Sequence, residues 1–330
     1  HANSASILNA VEVDGKILTD GNMQSYHLKF NDISFTDRLG RDFLNNKGLE
    51  DDSVNGAKPI FTTTAESDGY HPGETKGSGY ATDSKAAQLV MACPFYDDLT
   101  DHTGITNRTN SAITLTNTNT VNSSAVSRFY GQSAYFNGSS KIQTSLDANV
   151  LKGSWTIECW FYWLPANWSS STSQSLLGHW GSSNGTYGWN LSTGGSDNTD
   201  IYFNFRKNGE AGGTVYTMGG VPISWNRWYH VAVTGDYTNS SSSGTYKMFL
   251  DGKQIDSMTF ADQIHATAAN GIYIGERADS QGFWNGYIQD MRVYSNSSTT
   301  DGESGVAVKY TGDFVPPTRG DFRVNSISAF

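Results

Sequence analysis

Two turn regions gather side chains that could do chemistry. His179, Trp180, Tyr187 and Trp189 flank the loop "GSSNGT" (181–186), and Phe283-Trp284 sits at a second turn. Aromatic faces beside amides and hydroxyls can stack on sugar rings, so His179, Trp180, Tyr187, Trp189 and Trp284 are candidates for a glycan platform. The same large side chains also fill β cores. Trp160, Trp228 and Tyr229 lie inside strand-like runs and are read as core or sheet packing. Cleaving a glycan would need two carboxylates flanking the scissile bond, about 5–5.5 Å or 6.5–9.5 Å apart. Glu158 and Glu276 are single acids on separate runs, and "YDDLTD" (96–101) falls in a turn-rich stretch. His230 has no Ser or Cys placed in sequence to pair with it as a nucleophile, and it reads as a structural residue.

The segments that must position these residues alternate with period two. In "SWTIECWFYW" (154–163), Ile157, Cys159, Phe161 and Trp163 share one face, while Glu158, Trp160 and Tyr162 share the other. "RWYHVAVTGD" (227–236) and "TYKMFLDG" (245–252), joined by a polar linker, predict an antiparallel hairpin, with Asp251-Gly252 opening a second tight turn. Asn137-Gly138, between "SAYF" and "KIQTS", predicts another hairpin. From about residue 89 to 295 the chain reads as strand after strand. Residues 1–88 are richer in charge and turn signals, and 296–330 turn polar again before Pro316-Pro317 stiffens an exit segment.

Composition agrees with an all-β chain. The 330 residues are only 16% charged and 13% aromatic, against roughly 25% charged in average globular proteins. Such a mixture suits many short strands joined by polar turns. A net charge of −10 argues against binding nucleic-acid phosphates, which need a basic face. No apolar run approaches the roughly 18 residues of a membrane span, so no membrane insertion is expected. Cys93 and Cys159 form no CxxC pair, and both sit in apolar runs, which reads as two buried thiols.

Five ordered motifs, "AYFNGSSKI", "WTIECWFY", "WNRWYHVAVT", "YKMFLDGKQI" and "IYIGE…FWNGYIQDMRVY", resemble the laminin G-like, concanavalin A-like jelly roll. The resemblance implies a two-sheet antiparallel sandwich over 89–295, with 1–88 as a tether or assembly region and 296–330 as a C-terminal extension. Within that family His230 belongs to the fold. Hydrolases of this fold carry Glu-x-Asp-x-x-Glu or a close relative, which is absent here. The family also sometimes holds calcium at the sandwich rim, and "GGSDNTD" (194–200) offers Asp197, Asn198 and Asp200 as oxygen ligands; an Asx-rich turn is the alternative. The flanking segments "VDGKILT", "YHLKFND", "LVMACPF" and "YTGDFVPPT" resemble virion fibre proteins of marine tailed phages, which implies a virion or extracellular surface appendage.

Three functions follow as expectations. The first is a non-enzymatic virion appendage whose jelly roll binds a cell-surface glycan. The second is a purely structural virion or filament component, and the third is a glycoside hydrolase. The short apolar segments of both flanks predict a homo-oligomer held by strand addition, with other virion proteins and copies of itself as partners.

Overall fold

The computed structural model describes residues 11–13, 16–18, 85, 88–95, 99–101, 113–128, 131–165, 173–181, 187–195, 198–207, 214–237, 243–266, 271–296 and 306–317. The chain divides into two compact units. In the first, residues 1–60, 66–83 and 317–330, the described part is one antiparallel pair, β1 (Val11–Val13) and β2 (Lys16–Leu18). The second, residues 61–65 and 84–316, contains the candidate site.

Its strands are β3 (Leu89–Cys93), β4 (Leu115–Thr118), β5 (Val121–Ser123), β6 (Ser133–Asn137), β7 (Lys141–Thr144), β8 (Ser154–Trp163), β9 (Gln174–Trp180) and β10 (Tyr187–Gly195). They continue with β11 (Asn198–Arg206), β12 (Val215–Pro222), β13 (Trp228–Asp236), β14 (Gly244–Leu250), β15 (Lys253–Phe260), β16 (Ile272–Ile274) and β17 (Asn285–Ser295). One sheet runs β12-β11-β10-β9-β16-β7-β4. The other runs β15-β14-β13-β8-β17-β6-β5, with β3 pairing the second half of β17. All these pairings are antiparallel, and no α-helix occurs among the described residues. The architecture is the expected all-β, two-sheet jelly-roll sandwich.

Alternation along β8 sets the core. Trp155, Ile157, Cys159, Phe161 and Trp163 point inward and are fully buried, as period-two geometry requires. Trp155 meets Phe203 of the opposite sheet at 5.6 Å between ring centroids, and Phe205 meets Phe260 across the core at 5.0 Å. Gly235 makes room for Trp155: a Cβ there would lie 2.3 Å from the indole. Both cysteines are buried thiols, and burial pushes the Cys159 thiol up.

The two turn expectations came out differently. β13 and β14 form the predicted hairpin. Asp251 and Gly252, at φ 48° and 79°, turn the chain from β14 into β15, the positive-φ pair that Asp-Gly favours. Asn137-Gly138 does make a turn, with Gly138 at φ 83°, but not a hairpin. β6 pairs β5 and β17 in one sheet, whereas β7 pairs β4 and β16 in the other. The turn therefore carries the chain between sheets, and the Gly138 N–H donates to the carbonyl of Trp284.

The outer face of the β8 sheet is covered by residues 306–316, beyond the last strand. The Ala307 N–H donates to Ser154 Oγ (3.1 Å), its carbonyl accepts from Thr156 Oγ1 (2.8 Å), and the Phe314 N–H donates to the Gly252 carbonyl (2.8 Å). Tyr310 and Phe314 stack on each other, with Phe314 edge-on to His230 and Phe249. Under this strap lies a buried carboxylate, Glu158. It accepts from Lys309 Nζ (2.7 Å) and the Tyr310 hydroxyl (2.5 Å). His230 Nε2 (3.3 Å) and Arg292 Nη1 (3.9 Å) lie beside it. Burial alone would raise the Glu158 pKa, but Lys309, the His230 hydrogen bond and Arg292 hold it well below the ordinary 4.5. Burial lowers His230 from 6.5, partly opposed by Glu158. His230 is thus a structural residue, as its place within the β13 run suggested.

Two outcomes test this cluster. Glu158→Gln keeps the shape but leaves Lys309 and Arg292 without their counter-charge; denaturant unfolding is expected to show a loss of about 3–5 kcal/mol, the cost of breaking a buried pair. A pH series of thermal melts checks the titration. The folded pKa of His230 lies below its unfolded value, so stability begins to fall as pH drops below about 6.5. Glu158, also depressed, keeps its contribution down to about pH 4.5 and loses it as pH falls further toward its folded pKa. A flat profile from pH 7 to pH 5 would contradict the His230 assignment, and one that stays flat as pH falls from 4.5 to 2 would contradict that of Glu158.

Candidate functional site

Trp180 ends β9 and Tyr187 begins β10, so the antiparallel register sets them opposite each other. Their rings lie nearly parallel, with centroids 5.1 Å apart and planes 29° apart, and both side chains are half-buried. The next strand adds a cation. Tyr202, Asn204 and Arg206 alternate with the core residues Ile201, Phe203 and Phe205 along β11. Arg206 ends that strand with its guanidinium 4.3 Å from the Tyr187 ring centroid and 5.9 Å from that of Trp180, within cation–π range. The His265 N–H donates to the Arg206 carbonyl (2.8 Å), which places a second basic side chain at this strand end. Gly188 allows the close approach: a Cβ would fall 2.3 Å from the His179 carbonyl and 3.3 Å from that of His265.

The five predicted platform residues therefore part company. Trp180 and Tyr187 come together at the rim of the sheet. His179 lies buried behind them, with Nδ1 3.1 Å from the Gly271 carbonyl; burial lowers its pKa, with a smaller lowering from nearby His265. Trp189 is fully buried and packs on Phe203. Trp284 is fully buried too, stacked on Trp163 and edge-on to Phe161. For Trp189 and Trp284 the expectation is corrected: a ring closed off in the core has no face to offer a sugar. Sequence reasoning missed Arg206 and His265. The alternation of "DIYFNFR" would have placed Arg206 outward, while nothing local marks His265.

The remaining candidates are less concentrated. Asp197 and the side chain of Asn198 lie outside the described residues, and Asp200 accepts a hydrogen bond from the Tyr202 hydroxyl (3.0 Å). Among the described residues no group of three or more His, Cys, Asp or Glu side chains gathers in a way that could hold a metal ion. Glu158 and Glu276 belong to different environments. The first is buried beneath the strap on the β8 sheet; the second follows β16 in the other sheet and pairs with Lys141 at 2.8 Å. Burial raises the Glu276 pKa, partly opposed by Lys141.

A second aromatic array crosses the outer face of the β8 sheet, where Trp228, Tyr162, Tyr287 and Tyr135 stand opposite one another on four neighbouring strands. Successive centroids are 5.6, 5.9 and 5.0 Å apart, with interplanar angles of 60°, 79° and 35°. Tyr135 and Tyr287 are tilted against each other, while the Tyr162 contacts to Trp228 and Tyr287 are edge-on. The four rings form a packed ladder, not a flat platform.

The sequence of residues 136–301 matches the family described as the concanavalin A-like lectin/glucanases superfamily, under the label laminin G. No curated protein matches the chain. Among solved structures the chain is similar to domain 4 of AbnA, a GH43 extracellular arabinanase from Geobacillus stearothermophilus, in complex with arabinotriose. The identity is 18%, covering 63% of this chain and 92% of that one, with a TM-score of 0.45. It is also similar to the binding domain of Paraclostridial Mosquitocidal Protein 1, at 14% identity over 64% of this chain and 50% of that one, TM-score 0.46. A third is the receptor binding domain of botulinum neurotoxin C/D mosaic serotype, at 14% identity over 64% and 49%, TM-score 0.44. The chain spans about half the length of these two toxin domains. With the family match covering half of its length and its two antiparallel sheets closed on one core, the chain belongs to the laminin G-like branch of the concanavalin A-like lectin/glucanase superfamily.

Proposed function

We propose that this chain is a non-enzymatic recognition module that binds a cell-surface glycan at the Trp180–Tyr187 rim. The carrying observation is the half-buried, nearly parallel ring pair held outside the core at a sheet end. Aromatic faces of this kind can bury the apolar face of a sugar ring while the surrounding amides and hydroxyls meet its polar edge. The non-enzymatic part rests on the acids. Glu158 is already engaged by Lys309, Tyr310 and His230, and Glu276 by Lys141; neither faces the rings as one of a catalytic pair.

The biological setting is a virion appendage, a reading supported by the flank segments that resemble phage fibre proteins. Single sugar contacts are weak, so such a module gains useful avidity when several copies act together, which favours a homo-oligomer. Because residues 306–316 cover their own sheet, assembly contacts fall to the flanks outside the strap.

A glycan array probed with the full chain tests the reading. Trp180→Ala and Tyr187→Ala are each expected to weaken the best hit about tenfold or more, roughly 1.4 kcal/mol, with the β-rich circular dichroism spectrum retained. A silent array supports the scaffolding alternative instead. Release of reducing sugar from a host polysaccharide would overturn the non-enzymatic reading.

A further inference from the structure

We infer that the Trp180–Tyr187 site selects a sugar bearing a single anionic substituent, a carboxylate or a sulfate, and that Arg206 and His265 recognise it. The inference rests on the reading of this rim as a glycan platform and adds the class of glycan.

Its basis is a set of buried polar nitrogens left without partners. Arg206 is 8% exposed, and among the described residues its Nε and Nη1 are buried without a hydrogen-bond partner. Both ring nitrogens of His265, whose main chain is bonded to Arg206, are likewise buried and without a partner. Asp262, on the neighbouring segment, is taken by Lys207 (3.6 Å), not by Arg206. Among the described residues the guanidinium contacts the Tyr187 and Trp180 ring faces. Cation–π contact offsets part of its desolvation, but it leaves the N–H groups unsatisfied, and a buried unpaired charge is costly. Two other charged groups show what a satisfied arrangement looks like here: Glu158 collects several partners, and Arg277 is bonded to Asp279 through both Nε and Nη2. An orphaned cation beside two half-buried rings fits a site completed by its ligand.

The chemistry of that ligand follows. Guanidinium and imidazole N–H groups form their strongest hydrogen bonds with carboxylate or sulfate oxygens. A sugar ring lying along Trp180 and Tyr187 would bring such a substituent to Arg206. The chain as a whole is strongly acidic, with a net charge of −10, which repels a polyanion over any longer stretch. One acidic group per bound oligosaccharide is the arrangement that both facts allow.

The test uses the full chain and matched sets of short oligosaccharides: neutral, terminated by one carboxylate-bearing sugar, or carrying one sulfate. Wild type is expected to bind at least one acidic series about tenfold more tightly than its neutral counterparts, and which series does so distinguishes carboxylate from sulfate. Arg206→Gln and Arg206→Met are expected to bring the acidic-to-neutral ratio close to one. Without ligand their melting temperatures should equal or exceed that of wild type, because each removes an unsatisfied buried charge; a purely structural Arg206 would give lower ones. Equal binding of neutral and acidic sets by wild type, or a ratio unchanged in both variants, overturns the inference while leaving the platform standing. If no set binds and Trp180→Ala changes nothing, the platform reading itself fails, and the inference with it.

Discussion

A single buried carboxylate decides which faces of this sandwich are open. Glu158 sits on the outward side of β8, in the middle of its sheet, where an unpaired charge could not be tolerated. Lys309 and Tyr310 reach it from the C-terminal segment, His230 from β13 and Arg292 from β17. Satisfying that one group binds three elements of the sheet to a strap with no strand pairing of its own. The strap's backbone is held in the same way, through Ser154, Thr156 and Gly252.

Closure of that face has a consequence for recognition. The strap lies over the His230 and Glu158 rows, and Trp228, Tyr162, Tyr287 and Tyr135 pack into a ladder of tilted and edge-on rings. On the opposite sheet, the ends of β9, β10 and β11 present two nearly parallel rings and a guanidinium whose Nε and Nη1 have no hydrogen-bond partner among the described residues. The proposed recognition site thus lies on the sheet that the strap does not cover.

Much of the fold was legible from local pattern. Period-two alternation sorted Ile157, Cys159, Phe161 and Trp163 from Glu158, Trp160 and Tyr162, because strand geometry alone separates successive side chains. Asp251-Gly252 likewise announced its own turn. Asn137-Gly138 shows the limit. Turn residues specify backbone angles, but not which sheet receives each flanking strand, and here the strands part. Trp284 misled for a related reason: proximity to a turn suggested exposure, yet its ring packs inward against Trp163 and Phe161. Lys309 and Tyr310 lie in a polar, aperiodic segment, and their role depends on a carboxylate some 150 positions earlier, which no local pattern reveals. At the site, Trp180 and Tyr187 were recognisable as aromatics flanking a polar loop, whereas His265 acquires meaning only beside Arg206.

The central claim is that recognition occurs at the Trp180–Tyr187 rim and not on the strap-bearing sheet. Following the indole N–H resonances of Trp180 and Trp228 while the full chain is titrated with a bound oligosaccharide tests it most directly, because one indole marks each surface. The account predicts a saturable shift of Trp180 with Trp228 unmoved. A saturable shift of Trp228 with Trp180 unmoved would place binding on the aromatic ladder and contradict the account.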